Sequence, residues 1–234
     1  MSNLYLESYV WARGDYLVPQ PIILQRCQAT EGATTSTARV STPTPFLTAL
    51  KNYTDTFSAV LASTYTRSWD PTTNRITISS SGGTFDLTPD GNLRAALGLA
   101  ATTTGATSYT GTSAPLGVVP LLSAEVEAAP PDLGAQVDLL DYRHGRASVL
   151  HYSNHTRYLV SCWTTGEAAQ AMLSGYCTRG RVRLHLGDDA NAQSPEHLDG
   201  YIDGYVFSAK VGETQGDSEE YVRVDLGIAV PEAT

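Results

Sequence analysis

The stretch PFLTALKNYTDTFSAVL, residues 45–61, decides where the helical part of this chain lies. Phe46, Leu50, Tyr53, Phe57, Val60 and Leu61 follow one another at spacings of four, three, four, three and one, which sets them on one apolar stripe of a helix. Thr44 is expected to cap its start, with Pro45 at the first helical position. Working outward, Thr64 to Trp69 and Arg75 to Ser79 read as extended segments joined by Asp70-Pro71-Thr72-Thr73-Asn74, which is turn chemistry. Gly82-Gly83 makes a second turn, and Thr84-Phe85-Asp86-Leu87 alternates like a short strand. Thr88-Pro89 then opens a short helix carrying Leu93, Ala96 and Leu97, which Gly98 stops. Residues 44–100 are expected to form a helix–hairpin–strand–helix module with no catalytic group at its centre.

Beyond residue 140 the pattern changes to period two. Ala147 to Tyr152 and Tyr158 to Trp163 are rich in β-formers, and Arg181-Val182-Arg183-Leu184-His185-Leu186 alternates throughout. Val222, Val224, Leu226, Ile228 and Val230 make the clearest strand signal in the chain, and Tyr201 to Lys210 reads as its neighbour across a polar hairpin loop from Gly212 to Glu219. One short helix interrupts these strands, with Thr164 and Glu167 at capping-box spacing and Gly175 at its end. The expected class is therefore α+β, mostly β, with a β-rich C-terminal domain over residues 141–234.

Residues 1–43 are expected to be extended strands or an arm. Leu4 and Leu6 alternate with polar positions, and Pro19 and Pro21 suit an edge. Arg13-Gly14-Asp15 is read as a turn rather than an adhesion signal. Residues 101–140 are Thr-, Gly- and Pro-rich and read as a linker or arm, although Val118 to Val126 has strand character; Pro130-Pro131 marks a boundary.

Composition narrows the function. At 234 residues the chain can bury one or two real cores. Lys and Arg number 15 against 24 Asp and Glu, a formal charge of -9, which disfavours phosphate-backbone contacts and nucleic acid as a partner. No apolar run approaches the length of a membrane span, and the start, Met1-Ser2-Asn3-Leu4, has neither the basic region nor the apolar core of a secretory signal. The chain is expected to be made in a cytoplasm and left unprocessed. Cys27, Cys162 and Cys177 form no CxxC pair; Cys162 and Cys177 flank a helix and can in principle meet, but free thiols are the expected state.

Several clusters carry candidate chemistry. His144, His151 and His155, with His185 and His197, invite a metal, but His151 and His155 on a strand lie about 13 Å apart, too far to share one ion. Asp188, Asp189, Asp199 and Asp203, and then Asp217, Glu219 and Glu220, do not match a calcium-loop spacing and read as solvated charge. No carboxylate pair is marked for glycoside hydrolysis, no G-x-S-x-G elbow occurs, and Gly82-Gly83 makes no phosphate loop. Arg179, Arg181 and Arg183 line one strand face and suit an acidic partner. The 13 tyrosines suit interfaces, because they bury area while keeping a hydroxyl wet. No catalytic residue, cofactor site or metal site is assigned, and the chain is not read as an enzyme.

The helix from Phe46 to Leu61, then Tyr65-Thr66-Arg67-Ser68-Trp69-Asp70, Asn74-Arg75-Ile76-Thr77-Ile78, Thr84-Phe85-Asp86-Leu87 and Leu93-Arg94-Ala95-Ala96-Leu97-Gly98-Leu99, resembles modules of tail and baseplate proteins of tailed bacteriophages. That resemblance implies a structural subunit of the virion, in the tail, tail tip or baseplate, assembling with copies of itself into a symmetric ring or lattice and with neighbouring virion proteins. Low-charge segments 28–44 and 100–117 are expected to act as arms lying across neighbours. The alternative it leaves open is a capsid decoration protein or a virion protein that binds a host glycan through exposed Tyr and Trp.

Overall fold

Strand after strand of this chain places small or branched apolar residues at every second position, and the computed structural model curls those strands into a barrel. It describes residues 4–11, 22–23, 26–40, 43–100, 103–129, 135–142, 145–152, 156–176, 181–186, 200–215 and 221–230. In chain order the elements are β1 (Leu4–Trp11), β2 (Ile22–Ile23), β3 (Cys27–Glu31), β4 (Thr34–Ala38), β5 (Thr44–Pro45), α1 (Phe46–Val60), β6 (Tyr65–Asp70), β7 (Arg75–Ser80), β8 (Asp86–Pro89) and α2 (Gly91–Leu97). There follow β9 (Ser108–Thr110), β10 (Val118–Ala129), β11 (Ala135–Tyr142), β12 (Gly145–Tyr152), β13 (Thr156–Thr165), α3 (Gly166–Tyr176), β14 (Arg181–His185), β15 (Tyr201–Gln215) and β16 (Tyr221–Val230). The chain is mostly β.

The six barrel strands run in the order β10-β13-β16-β15-β14-β1, every neighbour antiparallel, and β10 returns to β1 through Leu4↔Leu121 and Glu7↔Val118 to close the ring. Closure leaves none of these six strands at a sheet edge. Inside, Leu6, Leu121, Val160, Val182, Leu184, Val224, Leu226 and Ile228 fill the lumen, with Ala168, Ala169 and Met172 of α3 packed into the same cluster. Thr165, not Thr164, caps α3 by accepting from Ala168 N–H at 3.2 Å. Thr164 is buried and donates to the Pro120 carbonyl, while the Glu167 side chain, in the first turn of α3, accepts from Arg75 Nη2 at 2.9 Å and from the Ala114 N–H.

A second core gathers around α1. Phe46, Leu50, Tyr53 and Phe57 are buried there with Trp69, Ile76, Phe85, Leu87 and Leu97. Edge-to-face ring contacts run Phe57–Tyr65–Phe85–Tyr109, with centroids 5.8, 5.0 and 4.9 Å apart. Val60, at the helix's last residue, is exposed. Thr44 does not cap α1. Pro45 occupies the cap position without a side-chain bond, and the Leu47 N–H is satisfied instead by Glu7 Oε2 of β1 at 2.9 Å. Asp90 caps α2 by accepting from Leu93 N–H at 2.9 Å, and Gly98 ends it at φ 67°, where a Cβ would meet the Ser113 carbonyl oxygen at 2.2 Å.

The segments expected to act as arms pack on the chain's own body. Cys27, Ala29 and Ala38 alternate into the second core as β3 pairs with β4 and β8. Thr103 and Tyr109 are buried, and β9 pairs with β7. Small residues at period two here make a tight intramolecular sheet. β15 likewise runs to Gln215, opposite Tyr221, taking the first residues of the expected loop into the ladder.

β1 serves both cores. Its even residues Leu4 and Leu6 point into the barrel, and its odd residues Tyr5, Glu7 and Tyr9 are buried outside it. That second face organises the site described next.

Candidate interaction face

On β14, Val182 and Leu184 fill the barrel, so Arg181, Arg183 and His185 stand on its outer wall. The registers place Tyr5 and Tyr201 on either side of His185, Glu7 and Asp203 on either side of Arg183, and Tyr205 opposite Arg181. Each row holds a cation or imidazole beside phenols or carboxylates. Arg183 donates to Asp203 through Nε at 2.8 Å and Nη2 at 2.9 Å, the paired geometry of a guanidinium on a carboxylate. Its plane lies 3.8 Å from the Tyr201 ring centroid, and Nη2 also donates to the Tyr9 hydroxyl at 3.1 Å. Arg181 rests over the Tyr9 ring at 4.2 Å, and its Nη2 comes no nearer to Asp203 than 4.0 Å. His185 stacks on Tyr5 at 4.1 Å and 8°, with Nε2 2.6 Å from Glu7 Oε1.

The electrostatics follow from this packing. Burial alone would raise the Asp203 carboxyl, but the hydrogen bonds and charge of Arg183 hold it below its ordinary 3.8. Burial alone would lower the Arg183 guanidinium; Asp203, Tyr9 and Glu7 push it above its ordinary range. Tyr9 is pushed up to about 12, first by burial, with Arg183 opposing and Asp203 adding. The Glu7–His185 pair is sealed, with the Glu7 side chain 3% exposed and its second oxygen committed to α1. It ties the barrel to the helical core.

Where β14 and β15 meet the start of β13 and the end of β16, a cavity of about 490 Å³ opens, walled by Tyr158, Tyr201, Tyr205, Arg181 and Asp203. Beside it the barrel wall turns apolar. β15 shifts register between Val206 and Ser208, and the bulged Phe207 swings outward over Gly227, where a Cβ would meet the ring at 2.4 Å. Leu159, opposite Gly227 on the other side, and Phe207 are 46% and 48% exposed, and Tyr205 adjoins them at 38%. Arg157 lies over the Phe207 ring at 5.5 Å.

The chain matches no protein-family model and no curated protein. Arg181 and Arg183 do share one face, and the acidic group that meets them is the chain's own Asp203, which belongs to a strand and not to a solvated acidic loop. Arg179, Asp188, Asp189, Asp199, Asp217, Glu219, Glu220, His144, His155, His197, Cys177 and the Arg13-Gly14-Asp15 triplet lie outside the described residues. His151 sits on β12 opposite Gln136. Among the described residues no three of His, Cys, Asp and Glu gather to hold a metal. Cys27 and Cys162 are free and buried, each thiol pushed up to about 12 by that burial, which leaves little nucleophilic thiolate. Glu7, Tyr9 and Asp203 were missed as partners because they lie 178, 174 and 20 residues from the strand they complete.

Proposed function

We propose that this chain is a structural subunit of a tailed-phage virion, in the tail, tail tip or baseplate, that assembles into a symmetric oligomer with copies of itself. The observation that carries assembly is the bare apolar strip Leu159–Gly227–Phe207 on the barrel wall. Large apolar side chains held side by side in water mark contact surfaces, and a second copy would cover them. The phage setting is supported by the resemblance over Phe46–Leu99. In this reading residues 44–100 act as a helix–hairpin–strand–helix module followed by a β-rich domain over 141–234, which also recruits β1 and β10. Its work is shape and mutual contact, without bond-making, and its home is the virion.

Light scattering on a sizing column tests it. A mass several times that of one chain, falling to one chain in Phe207→Ser, is the expected result. A wild-type protein that stays solitary and binds no virion partner would refute it. A tape-measure or terminase gene beside the coding sequence is the expected genomic setting. The tyrosine-walled cavity favours a second reading, a virion protein that decorates the capsid or touches a host glycan.

A further inference from the structure

We propose that the cavity between β13, β14, β15 and β16 binds a carboxylate-bearing sugar, with Arg181 taking the carboxylate. The inference rests on the second reading above and adds the charge of the sugar to it. At about 490 Å³ the cavity is of small-ligand size. Tyr158, Tyr201 and Tyr205 wall it, and although Arg183 already covers one face of Tyr201, the three phenols supply ring surface for the C–H groups of a pyranose and oxygens for its hydroxyls.

The two arginines of β14 are not equivalent. Arg183 spends its fork on Asp203 and its remaining contacts on Tyr9 and Tyr201. Arg181 is held from behind by the Tyr9 ring, reaches Asp203 only at 4.0 Å, and lines the cavity with its side chain 35% exposed. A planar guanidinium with donors to spare, fixed by stacking, fits a planar carboxylate. Asp203 lines the same cavity, already bonded to Arg183 and Tyr9, and its carboxylate is a further acceptor within reach of a sugar hydroxyl. A bare inorganic anion would use Arg181 but neither the phenols nor Asp203; a neutral sugar would leave Arg181 unused.

Isothermal titration of the full chain with glucuronic acid, galacturonic acid and N-acetylneuraminic acid, beside glucose, galactose and inorganic phosphate, tests this. Saturable binding of at least one acid sugar is expected, at least tenfold tighter than the neutral sugar and tighter than phosphate. Arg181→Gln should weaken it tenfold or more, and Tyr205→Ala should weaken it several-fold. Arg223→Gln, an exposed arginine on β16 that does not line the cavity, should bind like wild type and shows that charge alone is not read. Circular dichroism and melting of each variant separate lost binding from lost folding. No saturable binding by wild type, unchanged binding in folded Arg181→Gln, or phosphate binding as tight as the acid sugars would each overturn the proposal. A glycan array answering to neutral sugars alone would keep the second reading and sink this one. Phe207→Ser leaves the cavity walls intact, so assembly and sugar binding fail separately.

Discussion

Two outer walls of one barrel are built in opposite ways. On the β1–β14 side the outward residues Tyr5, Glu7, Tyr9, Arg183 and His185 are polar or charged groups packed against the chain's own body, with Arg181 at the open end of the row. On the β13–β16–β15 side they include Leu159 and Phe207, apolar groups about half exposed. Polar groups are buried where the contact is internal, and apolar groups are bare where none of the described residues covers them. A buried polar seam needs every partner in place, which fixes one geometry between barrel and α1. An apolar strip is tolerant of its partner's geometry and suits contact with another molecule. The difference teaches that the charged wall holds the fold together and the apolar wall is left for association.

The sharpest way to break that contrast is to remove Glu7. Glu7→Ala strips the buried Leu47 N–H and His185 of their shared partner, and a loss of about 3–5 kcal/mol is expected from two groups left without it, each costing about 1–3 kcal/mol. For a chain of this size that lowers Tm by roughly 6–20 °C in a melt followed by circular dichroism. A shift of only a degree or two would mean that the seam does not hold the two cores.

On the bare wall the expected effect falls on mass and not on Tm. Phe207→Ser should dissociate the oligomer while moving Tm by only a few degrees, since surface changes seldom exceed about 0.5 kcal/mol. Gly227→Ala sharpens the point. Its Cβ would collide with the Phe207 ring, so the ring must turn away, and assembly should weaken although no apolar atom has been removed. Unchanged mass by light scattering in both variants would show that this strip is not the contact.

Much of the mostly-β character is legible locally, because period two is a local signal. The alternation of Arg181 to His185 and of Val222 to Val230 marks β14 and β16, and the stripe from Phe46 marks α1. Closure is not legible, since the β1–β10 pairing joins residues more than a hundred positions apart with no sequence cue. The positions that alternate with Leu4 and Leu6 read only as polar, yet Tyr5 and Glu7 are buried on the strand's other face. Period two tells which residues share a face, not what covers that face. For the same reason the low-charge segments 28–44 and 100–117 read as arms. Deleting 101–115 removes β9 and the buried Tyr109, so it is expected to cost the fold before it costs assembly.

The acid limb of stability probes the charged wall more gently. The folded value of Asp203 lies below its ordinary 3.8, so its ionised form contributes stability above that value. The contribution is lost as pH falls through the lower folded value. Wild type should therefore lose stability below about pH 4, and Asp203→Asn should show a flatter decline there with lower stability at neutral pH. Asp70, Asp225 and Glu167 are held low as well, so the slope should lessen rather than vanish. An acid limb identical to wild type would remove Asp203 from the account.

The smallest expected effect compares one kind of contact on both walls. Arg183 stacks on Tyr201 at 3.8 Å with its side chain 15% exposed; Arg157 stands over Phe207 at 5.5 Å on the bare side. A cation over a ring gains most where water is excluded, and an exposed pair contributes about 0.5–1 kcal/mol. Phe207→Leu, which removes the ring under Arg157, should therefore lower Tm by no more than about 4 °C, while Tyr201→Leu, which removes the ring under Arg183, should cost more. If the two melts fall together, packing against the chain's own body adds nothing to such contacts, and the distinction between a sealed wall and an open one fails at its simplest point.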